Sequence, residues 1–458
     1  MADESGGPAP AVMWFRRDLR LGDNPALRAA CDAAAGAGVL PLFVLDPTLW
    51  GPAGPTRRAY LAASLHALDE SLGGHLTVLR GDPVRQVVRA AKEVGATTVH
   101  LAADYGPYGA RRDEAVEEAL AAEGIELHRL GSPYAVAPGR VRNGSGEGYK
   151  VYTPFARAWA EHGWRAPVDR PGTRQTWLGV DGRDIPDATP PAGLSLPNAG
   201  EKAALERWRA FLEEDVDRYG EDRDRPDLDT TSHMSVHLKW GEIHPRTMLA
   251  DLAQRRGQGA STYRSELAWR EFYADVLHRF PETAREYYKA EFAGMEYDGP
   301  GGDLAAWREG RTGYPIVDAG MRQLRATGWI HNRVRMIVAS FLVKDLHLEW
   351  QHGARHFMHW LVDGDLASNQ HGWQWVAGCG TDAAPYFRVF NPTTQGQKFD
   401  PKGEYVRRWV AELREVEDQY IHEPAARPDG LPEGYPEPLV DHAEERREAL
   451  ARLDRLKK

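Results

Sequence analysis

Cysteine is nearly absent from this chain of 458 residues, and so are the segments that direct a protein to a membrane or out of the cell. Cys31 and Cys379 are too few for a disulfide framework and have no metal-ligand spacing. The opening MADESGGPAP lacks the basic start and apolar run of a signal peptide. No apolar run is long enough to span a membrane. These absences favour a cytoplasmic protein without a membrane partner.

A net positive charge is also lacking, because the formal charge is −10, with 27% charged and 42% hydrophobic residues. The field of the whole protein would repel a polyanion, so a nucleic acid would require a local basic face. Residues 321–344 contain no acid and five cations, which are Arg322, Arg325, Arg333, Arg335 and Lys344. This segment could supply such a face, or its cations could pair with acids elsewhere in the fold.

The N-terminal part alternates short apolar runs with Ala-rich segments of helical spacing. The runs predict five strands, AVMWF (11–15), VLPLFVLD (39–46), LTVL (76–79), TVHLAAD (98–104) and IELHRL (125–130). Such alternation is typical of a parallel sheet with helices on both faces, so we expect a doubly wound α/β domain over residues 10–135. Ligands of these sheets bind at the carboxyl ends of the strands, where this sequence has Arg16, Arg17, Asp18, Asp46 and Asp104. No GxGxxG follows the first strand, which argues against a dinucleotide site of the Rossmann type.

Two further regions follow. Residues 136–200 are rich in Gly, Pro, Arg and Asp and predict a long connector. From 201 to 458 the pattern is almost wholly helical, which predicts a larger all-helical domain. Two domains are expected because a chain of this length is longer than a single hydrophobic core usually allows. Its last segment, DHAEERREALARLDRLKK, predicts a charged terminal helix with a solvated face.

The segment HNRVRMIVASFLVKDL has a clear helical period. One apolar stripe recurs at i, i+3, i+4, i+7 and i+8 and consists of Val334, Ile337, Val338, Phe341 and Leu342. Asn332, Arg335 and Met336 fall on another side of the same predicted helix.

The stretch LVDGDLASNQHGWQW (361–375) combines two carboxylates, Asp363 and Asp365, with two tryptophans, Trp373 and Trp375. A pair of carboxylates can hold a hard cation when further oxygen ligands complete the shell. No third acid lies nearby, and an Asp close to a helix end often caps it instead. We therefore expect no metal here, and a metal-dependent phosphoryl-transfer enzyme stays a distant alternative.

A second segment, STYRSELAWREFYADVL, predicts a helix with Ser261 as its N-cap. Glu266, Trp269, Arg270 and Tyr273 recur at i, i+3, i+4 and i+7 and so share one face. A carboxylate, a guanidinium and two aromatic rings are typical of a binding site, although an exposed polar and aromatic helix surface explains them equally well.

Long motifs of this chain resemble the photolyase and cryptochrome family of flavoproteins, in the family's order and from about residue 11 to the end. They are WFRRDLRLGDNPAL, TSHMSVHLKWGEIHPR, SELAWREFY, GYPIVDAGMRQLRATGWIHNRVRM, DGDLASNQHGWQWVAGCGTDAAPYFRVFNPTTQGQKFD and YPEPLVDH. The resemblance implies an N-terminal α/β domain that holds a light-harvesting antenna and an all-helical domain that binds FAD. It also implies an enzyme class, a light-driven carbon–carbon lyase that acts on DNA as a monomer.

The resemblance assigns residues to the flavin. Arg335 and Asp363 would pair beside the isoalloxazine ring, where a fixed guanidinium favours an anionic reduced flavin. Asn369 would face flavin N5, a position at which plant cryptochromes carry Asp and animal ones Cys, so Asn favours a repair enzyme. The full flavin set is Tyr219, Thr231, Ser232, His233, Met234, Ser235, Trp269, Arg335, Asp363, Gly364, Asp365 and Asn369. His233 and Val236 replace the Arg and Pro that are usual in this motif.

The lesion contacts are carried over in the same way. Glu266 would hydrogen-bond the carbonyl of a cyclobutane pyrimidine dimer and stabilise its radical anion, and photolyases are known to flip their target out of the duplex. The full lesion and DNA set is Arg223, Glu266, Trp269, Arg270, Asn332, Arg333, Met336, Trp375 and Gln395. Enzymes that repair 6-4 photoproducts carry two histidines in place of Asn332 and Met336, so the cyclobutane dimer is the expected substrate. Repair of 6-4 photoproducts and a cryptochrome-like receptor are the alternatives.

Two more assignments rest on the resemblance. Trp307, Trp350 and Trp373 match the relay that passes electrons from the surface to the flavin, which adds them to Glu266 and Asn369 as catalytic residues. ADYGPYGARRDEA resembles members that bind an 8-hydroxy-5-deazaflavin antenna, with methenyltetrahydrofolate as the alternative. Its contacts would be Arg17, Asp46 and Asp104.

Overall fold

The five predicted strands form one parallel sheet. The computed structural model describes residues 8–172, 175–182, 185–382 and 388–457. The strands are β1 (Ala11–Phe15), β2 (Val39–Leu45), β3 (Thr77–Arg80), β4 (Thr98–Leu101) and β5 (Glu126–Arg129), in the spatial order β3-β2-β1-β4-β5. Every pairing is parallel, and the order reverses between β1 and β4. The predicted doubly wound α/β fold is confirmed.

Helices cover both faces of this sheet, which explains why β1 and β2 are buried along their whole length. They are α1 (Pro25–Ala34), α2 (Pro47–Trp50), α3 (Pro55–Ser71), α4 (Pro83–Glu93) and α5 (Pro107–Ala121). Each begins with proline, whose missing N–H costs nothing in a first helical turn. Asn24, Asp46 and Asp82 cap three of them by accepting a backbone N–H.

The remainder is helical, as predicted. Its helices are α6 (Tyr152–His162), α7 (Glu201–Glu214), α8 (Tyr219–Asp222), α9 (Ser235–Trp240), α10 (Pro245–Ala253), α11 (Gln258–Arg279), α12 (Gly302–Glu309), α13 (Pro315–Thr327), α14 (Asn332–Lys344), α15 (Trp350–Trp360), α16 (Leu366–Ala377), α17 (Pro392–Phe399), α18 (Glu404–Trp409) and α19 (His442–Leu456). No helix in the described part of the chain is long and apolar enough to cross a membrane.

The helix that carries Glu266 begins earlier than predicted. Ser261 is not its N-cap, because α11 starts at Gln258 and Gly257 precedes it. Gly259 packs so closely on the carbonyl of Val216 that a Cβ would overlap that oxygen. This tertiary contact, which no local pattern reports, extends the helix by one turn.

The apolar stripe of α14 is confirmed. Its five predicted residues are at most 1% exposed, whereas Arg335 and Met336 on the other side are half-buried. The predicted connector is less uniform than its composition suggests, because it contains α6. Phe155 and Trp159 of this helix are buried in the core around α11.

The two domains are joined by close contacts. Tyr60 and Ser64 of α3 donate to the fully buried carboxylate of Glu242, with O···O distances of 2.9 and 2.6 Å. Gly54 lies against the carbonyl of His359 and Gly241 against that of Arg17, and a Cβ on either glycine would overlap the oxygen. Neither position therefore accepts a side chain without separating the domains.

Candidate active site: a cavity between α11, α14 and α16

A cavity of about 510 Å³ opens among the helices of the C-terminal domain. Its volume falls within the range of roughly 300–1,000 Å³ that is usual for small-molecule sites. The predicted site residues on its wall are Tyr219, Arg223, Thr231, Ser232, His233, Met234, Ser235, Glu266, Trp269, Arg270, Asn332, Arg333, Arg335, Met336, Asp363, Asp365, Asn369, Trp373 and Trp375. Segments far apart in the sequence are thus brought to one place.

The two aspartates of the DGD motif bind different cations. Asp363 lies in the loop between α15 and α16 and accepts from Arg335 Nη2 at 2.8 Å. Asp365 accepts from Arg17 Nη2 at 2.6 Å and caps α16 through the N–H of Ser368. The carboxylates therefore hold two separate guanidinium groups and do not converge on one point, as metal ligands would.

The two carboxylates differ in how completely the surrounding protein satisfies them. Burial opposes the charge on Asp365, yet Arg17, Lys239 and Arg270 together hold its pKa below the usual range. Oδ1 of Asp363 is buried and has no hydrogen-bond partner among the described residues, and the same holds for Oγ1 of Thr231. Both residues line the cavity, so these atoms are available to a polar ligand.

The face of α11 that was predicted from spacing does not act as a unit. Glu266 pairs with Arg223, which follows α8. Trp269 stacks on Tyr152 of α6, with ring centroids 3.6 Å apart. Nη1 of Arg270 donates to the carbonyl of Pro133 at 2.9 Å. The structure thus places Glu266, Trp269 and Arg270 at the cavity, and the guanidinium of Arg270 also connects the two domains.

The side chains of α14 form the opposite wall. Arg333 pairs with Asp224 through one edge of its guanidinium, with Nε···Oδ1 and Nη2···Oδ2 distances of 3.2 and 2.7 Å. Asn332, Arg335 and Met336 line the cavity beside it. The basic segment is therefore not a free positive face, because Arg322 also pairs with an acid, Glu412, at 2.6 Å.

The segment before α9 is fixed by Arg207, which donates to the carbonyls of Thr231 and Ser232 at 2.6 and 3.0 Å. The hydroxyl of Ser232 also bonds to that of Tyr263 at 2.7 Å. His233 adopts a positive φ of 56°, and its Nε2 lies 3.0 Å from Asp229. Its ring packs on Trp329 at 4.1 Å.

Asn369 and Trp375 lie on α16. The amide nitrogen of Asn369 donates to the carbonyl of Ala354 at 3.2 Å and to Gln370 at 2.8 Å. Its oxygen is therefore the group that this side chain offers to the cavity. The indole of Trp375 is fixed by a bond to the carbonyl of Asp382 at 3.1 Å.

The three relay tryptophans are all buried, with exposures of 0% for Trp307 and Trp350 and 3% for Trp373. Trp307 and Trp373 meet edge to face with centroids 6.1 Å apart. None of the three reaches the surface, which corrects that part of the expectation. Beside Trp350, however, lies Tyr287 at 6.2 Å, which in turn stacks on the partly exposed Tyr297 at 6.3 Å.

Some predicted residues lie away from the cavity wall. Gly364 is buried behind it, and Gln395 lies on α17. Of the three antenna residues, Asp46 caps α2 and accepts from Tyr108, and Asp104 accepts from Arg112 at 3.4 Å. Arg17 reaches across the domain boundary to Asp365, which sequence spacing did not indicate.

Three residues at the site were missed by sequence reasoning: Lys239 lines the cavity, and Tyr152 and Asp224 contact the lining residues Trp269 and Arg333. Tyr152 belongs to the segment that was interpreted as a connector, and Asp224 has no periodic partner. Burial, together with the nearby Arg17, lowers the pKa of Lys239 to about 7. No pattern in the sequence signals any of the three, because each depends on a contact between distant segments.

Fold and cavity together define a class of protein in which an α/β domain is joined to a helical domain with one large polar and aromatic site. The model of the FAD binding domain of DNA photolyase matches residues 263–455, and that of DNA photolyase matches residues 11–172. A deoxyribodipyrimidine photo-lyase of Streptomyces griseus is 42% identical, covering 97% of this chain and 98% of the relative. One of Escherichia coli is 39% identical, covering 98% and 99%. The chain belongs to the DNA photolyase family.

Solved structures of two photolyases and a cryptochrome are also similar to this chain. A bacterial class III photolyase from Agrobacterium tumefaciens matches with a TM-score of 0.92 and 39% identity, over 99% of this chain and 98% of that one. An archaeal photolyase from Sulfolobus tokodaii with two FAD molecules matches with a TM-score of 0.84 and 30% identity, over 97% and 100%. A cryptochrome from Synechocystis matches with a TM-score of 0.86 and 26% identity, over 97% and 99%.

The cavity residues fit an FAD. The free oxygens of Asp363 and Thr231 can accept hydrogen bonds from a flavin or its ribityl chain, and aromatic rings provide the apolar wall. The guanidinium of Arg335 supplies a fixed positive charge beside them. The domain that contains this cavity is accordingly an FAD-binding domain.

Proposed function

We propose that this protein repairs cyclobutane pyrimidine dimers in DNA in a light-dependent reaction. One observation carries the proposal: a single cavity presents the Asp363–Arg335 pair, the amide of Asn369, and the Glu266 carboxyl beside Trp269. Relatives of about 40% identity over nearly the full length are deoxyribodipyrimidine photo-lyases, which supports it.

When bound, reduced FAD supplies the light-driven electron that opens the cyclobutane ring. Arg335 and Asp363 hold a buried charge pair toward the cofactor, and a fixed guanidinium favours an anionic ligand there. Asn369 offers an acceptor oxygen and no acidic proton. The flavin site therefore includes Tyr219, Thr231 to Ser235 and Trp269 as walls and hydrogen-bonding groups.

The lesion would enter between α11 and α14. Trp269 and Trp375 present aromatic faces on which a flipped dimer stacks, and their indoles are already fixed by Tyr152 and Asp382. Glu266 hydrogen-bonds a dimer carbonyl, and Met336 with Asn332 completes the pocket. Asn332 and Met336 carry no proton that titrates near neutral pH, which favours the cyclobutane dimer over the 6-4 photoproduct.

The basic groups at the rim would bind the DNA backbone. Arg223 and Arg333 lie at the cavity mouth and can contact phosphates, with Gln395 on α17 further out. Affinity should then fall steeply as salt concentration rises, because bound phosphates release counterions. Arg270, which lines the same cavity, would in addition hold α11 against the α/β domain.

We propose that Trp373, Trp350 and Trp307 deliver electrons to the cavity when the cofactor must be reduced. Because all three are buried, Tyr287 and Tyr297 would extend the path from Trp350 toward solvent. An antenna of the 8-hydroxy-5-deazaflavin type, or methenyltetrahydrofolate, would bind near Asp46 and Asp104 in the α/β domain. The protein would act on DNA as a monomer in the cytoplasm.

The test is direct. Purified protein with reduced flavin is mixed with ultraviolet-irradiated oligo-thymidine, and dimers are counted after blue light or darkness. We expect dimers to disappear only in the light. No light-dependent repair would overturn the proposal, and light-dependent partner binding without repair would favour the cryptochrome alternative.

A further inference from the structure

Arg223 and Asp224 are neighbours in sequence and form ion pairs in opposite directions. Arg223 pairs with Glu266 on α11, whereas Asp224 pairs with Arg333 on α14. The four side chains thus join the two walls of the cavity at its mouth. We call this set, Arg223, Asp224, Glu266 and Arg333, the ionic clasp.

The ion pairs of the clasp engage side chains that the repair reaction needs. Its two cations are the rim arginines assigned to DNA phosphates, and one of its anions is the carboxylate assigned to the lesion. The four side chains are 19–32% exposed, so water and a phosphate can reach them. Ion pairs with this exposure stabilise a fold only weakly, which makes an exchange of partners feasible.

A backbone phosphate competes well for these arginines. Guanidinium binds phosphate through two parallel N–H···O bonds, as it does a carboxylate. When a phosphate takes Arg223, Glu266 loses the cation beside it but keeps its position on α11. An isolated carboxylate in a desolvated site favours its protonated form.

The surroundings of Glu266 support this step. Burial already raises the pKa of its carboxyl, Arg223 lowers it, and Asp224 raises it. Among the described residues, the other titratable groups that face it are four tyrosines, Tyr152 from α6, Tyr219 from α8, and Tyr263 and Tyr273 from α11. Burial raises the pKa of each tyrosine, so all four stay neutral, and in this described part of the chain Arg223 is the cation that lowers the pKa of Glu266.

We propose that the ionic clasp couples DNA binding to protonation of Glu266: phosphates take over Arg223 and Arg333, and the freed carboxyl takes a proton from solvent. Protonated Glu266 then donates to the dimer carbonyl, which an ionised carboxylate could not do. The inference rests on the proposed function, since it uses the dimer as the ligand.

Proton uptake is measured by titration calorimetry of the FAD-loaded protein in the dark, with a duplex that carries one thymine dimer. Buffers of different ionisation enthalpy give the number of protons bound per complex. We expect uptake of up to one proton per complex. Between the carboxyl's pKa in the free protein and its pKa in the complex, dimer affinity should fall by up to tenfold per pH unit, and it should level off at higher pH. Glu266→Gln should remove the proton uptake while the duplex still binds.

The Asp224→Asn variant tests the clasp itself, with Glu221→Gln as the control. Both remove one negative charge from the α8 region, but Glu221 is exposed and lies outside the clasp. We expect Asp224→Asn to bind undamaged and damaged duplexes several-fold more tightly, because Arg333 is freed, and Glu221→Gln to show a smaller gain. A purely structural clasp predicts weaker binding for Asp224→Asn.

Two results would overturn the inference: no proton uptake by the native protein, or equal uptake by Glu266→Gln. If light-dependent repair is present while either result is found, only the clasp coupling fails. If repair is absent, the proposed function fails, and the calorimetry with undamaged duplex still reports whether phosphates open the clasp.

Discussion

Two clusters of charged residues in this molecule occupy positions that the sequence marked as possible binding sites, but their side chains are paired differently. At the strand ends of the α/β domain, Arg16 pairs with Asp113, and Arg112 pairs with both Asp113 and Asp104. In the cavity, by contrast, Asp363 pairs through one oxygen only, and the clasp pairs stay partly exposed. Most of the charges at the strand ends therefore pair with one another, although Oδ2 of Asp18 there has no partner among the described residues. The free oxygen of Asp363 differs in that its residue lines the cavity. Position at the strand ends alone therefore does not show which charged residues would contact a ligand.

The largest expected effect comes from Asp363→Ala. The change leaves the half-buried Arg335 without its acidic partner and removes the carboxylate oxygen that is free to bind a ligand. We expect loss of bound flavin, measured as the ratio of flavin to protein absorbance. Asp303→Ala, which removes an exposed acid on α12, is the control and should keep its flavin. Normal flavin content in Asp363→Ala would contradict the proposed cofactor site.

Trp373→Phe should separate two light reactions in the same cavity. Photoreduction of oxidised flavin should fall sharply, because the buried indole between the cavity and Trp307 is removed. Repair by chemically reduced protein should persist. Trp409→Phe, a partly buried tryptophan on the same core, should change neither rate. Loss of both reactions in Trp373→Phe would mean that the relay is wrongly assigned.

Trp269→Ala tests the aromatic wall. Stacking of a base on an aromatic ring contributes roughly 1–3 kcal/mol, so affinity for a dimer-containing duplex should fall by about 5- to 150-fold. Tyr152→Leu should cause a smaller loss, since Trp269 keeps its ring but loses the neighbour that fixes it. Undamaged duplex should bind all three proteins equally. A loss that is equal for both duplexes would indicate a general defect and not a stacking contact.

The smallest effect is expected at the strand ends, from Asp104→Asn. Burial opposes the charge on Asp104, but Arg17, Arg112 and Arg16 hold the pKa of this carboxyl below its usual range. A depressed pKa adds stability above the unfolded-state value of about 3.9, and this stability is lost as pH falls. We expect a loss of about 1.5 kcal/mol at pH 7 that shrinks below about pH 5.

Urea unfolding at several pH values measures this difference between Asp104→Asn and the native protein. Asp32→Asn is the control, because Asp32 forms an exposed pair with Arg28 on α1 and should contribute only a few tenths of a kcal/mol. A deficit in Asp104→Asn that stays constant with pH would show that its charge is unimportant.

The sequence allowed the five strands, the stripe of α14 and the main cavity wall to be predicted, because each has a periodic pattern or a long motif. The family resemblance also predicted the pair of Arg335 with Asp363, but the partners of other charged residues were not predicted. Arg17 was assigned to an antenna and Arg270 to DNA, yet one pairs with Asp365 and the other donates to Pro133. Both contacts cross between domains, and periodicity within one segment carries no information about such contacts.

The burial of the relay tryptophans could not be predicted from the sequence either. Burial of Trp307, Trp350 and Trp373 depends on how α12, α15 and α16 pack, so exposure could not be deduced from their order in the chain. The start of α11 was wrong for a related reason, since the contact of Gly259 with Val216 decides it.

The two glycines that interlock the domains have a mechanical consequence. Gly54 and Gly241 each accept a carbonyl oxygen from the opposite domain where even one added carbon would not fit. Because these contacts bury surface of both domains, we expect unfolding of one domain to expose part of the other that is normally covered. We expect the chain to unfold in a single cooperative transition on heating, although its sequence predicts two separate domains.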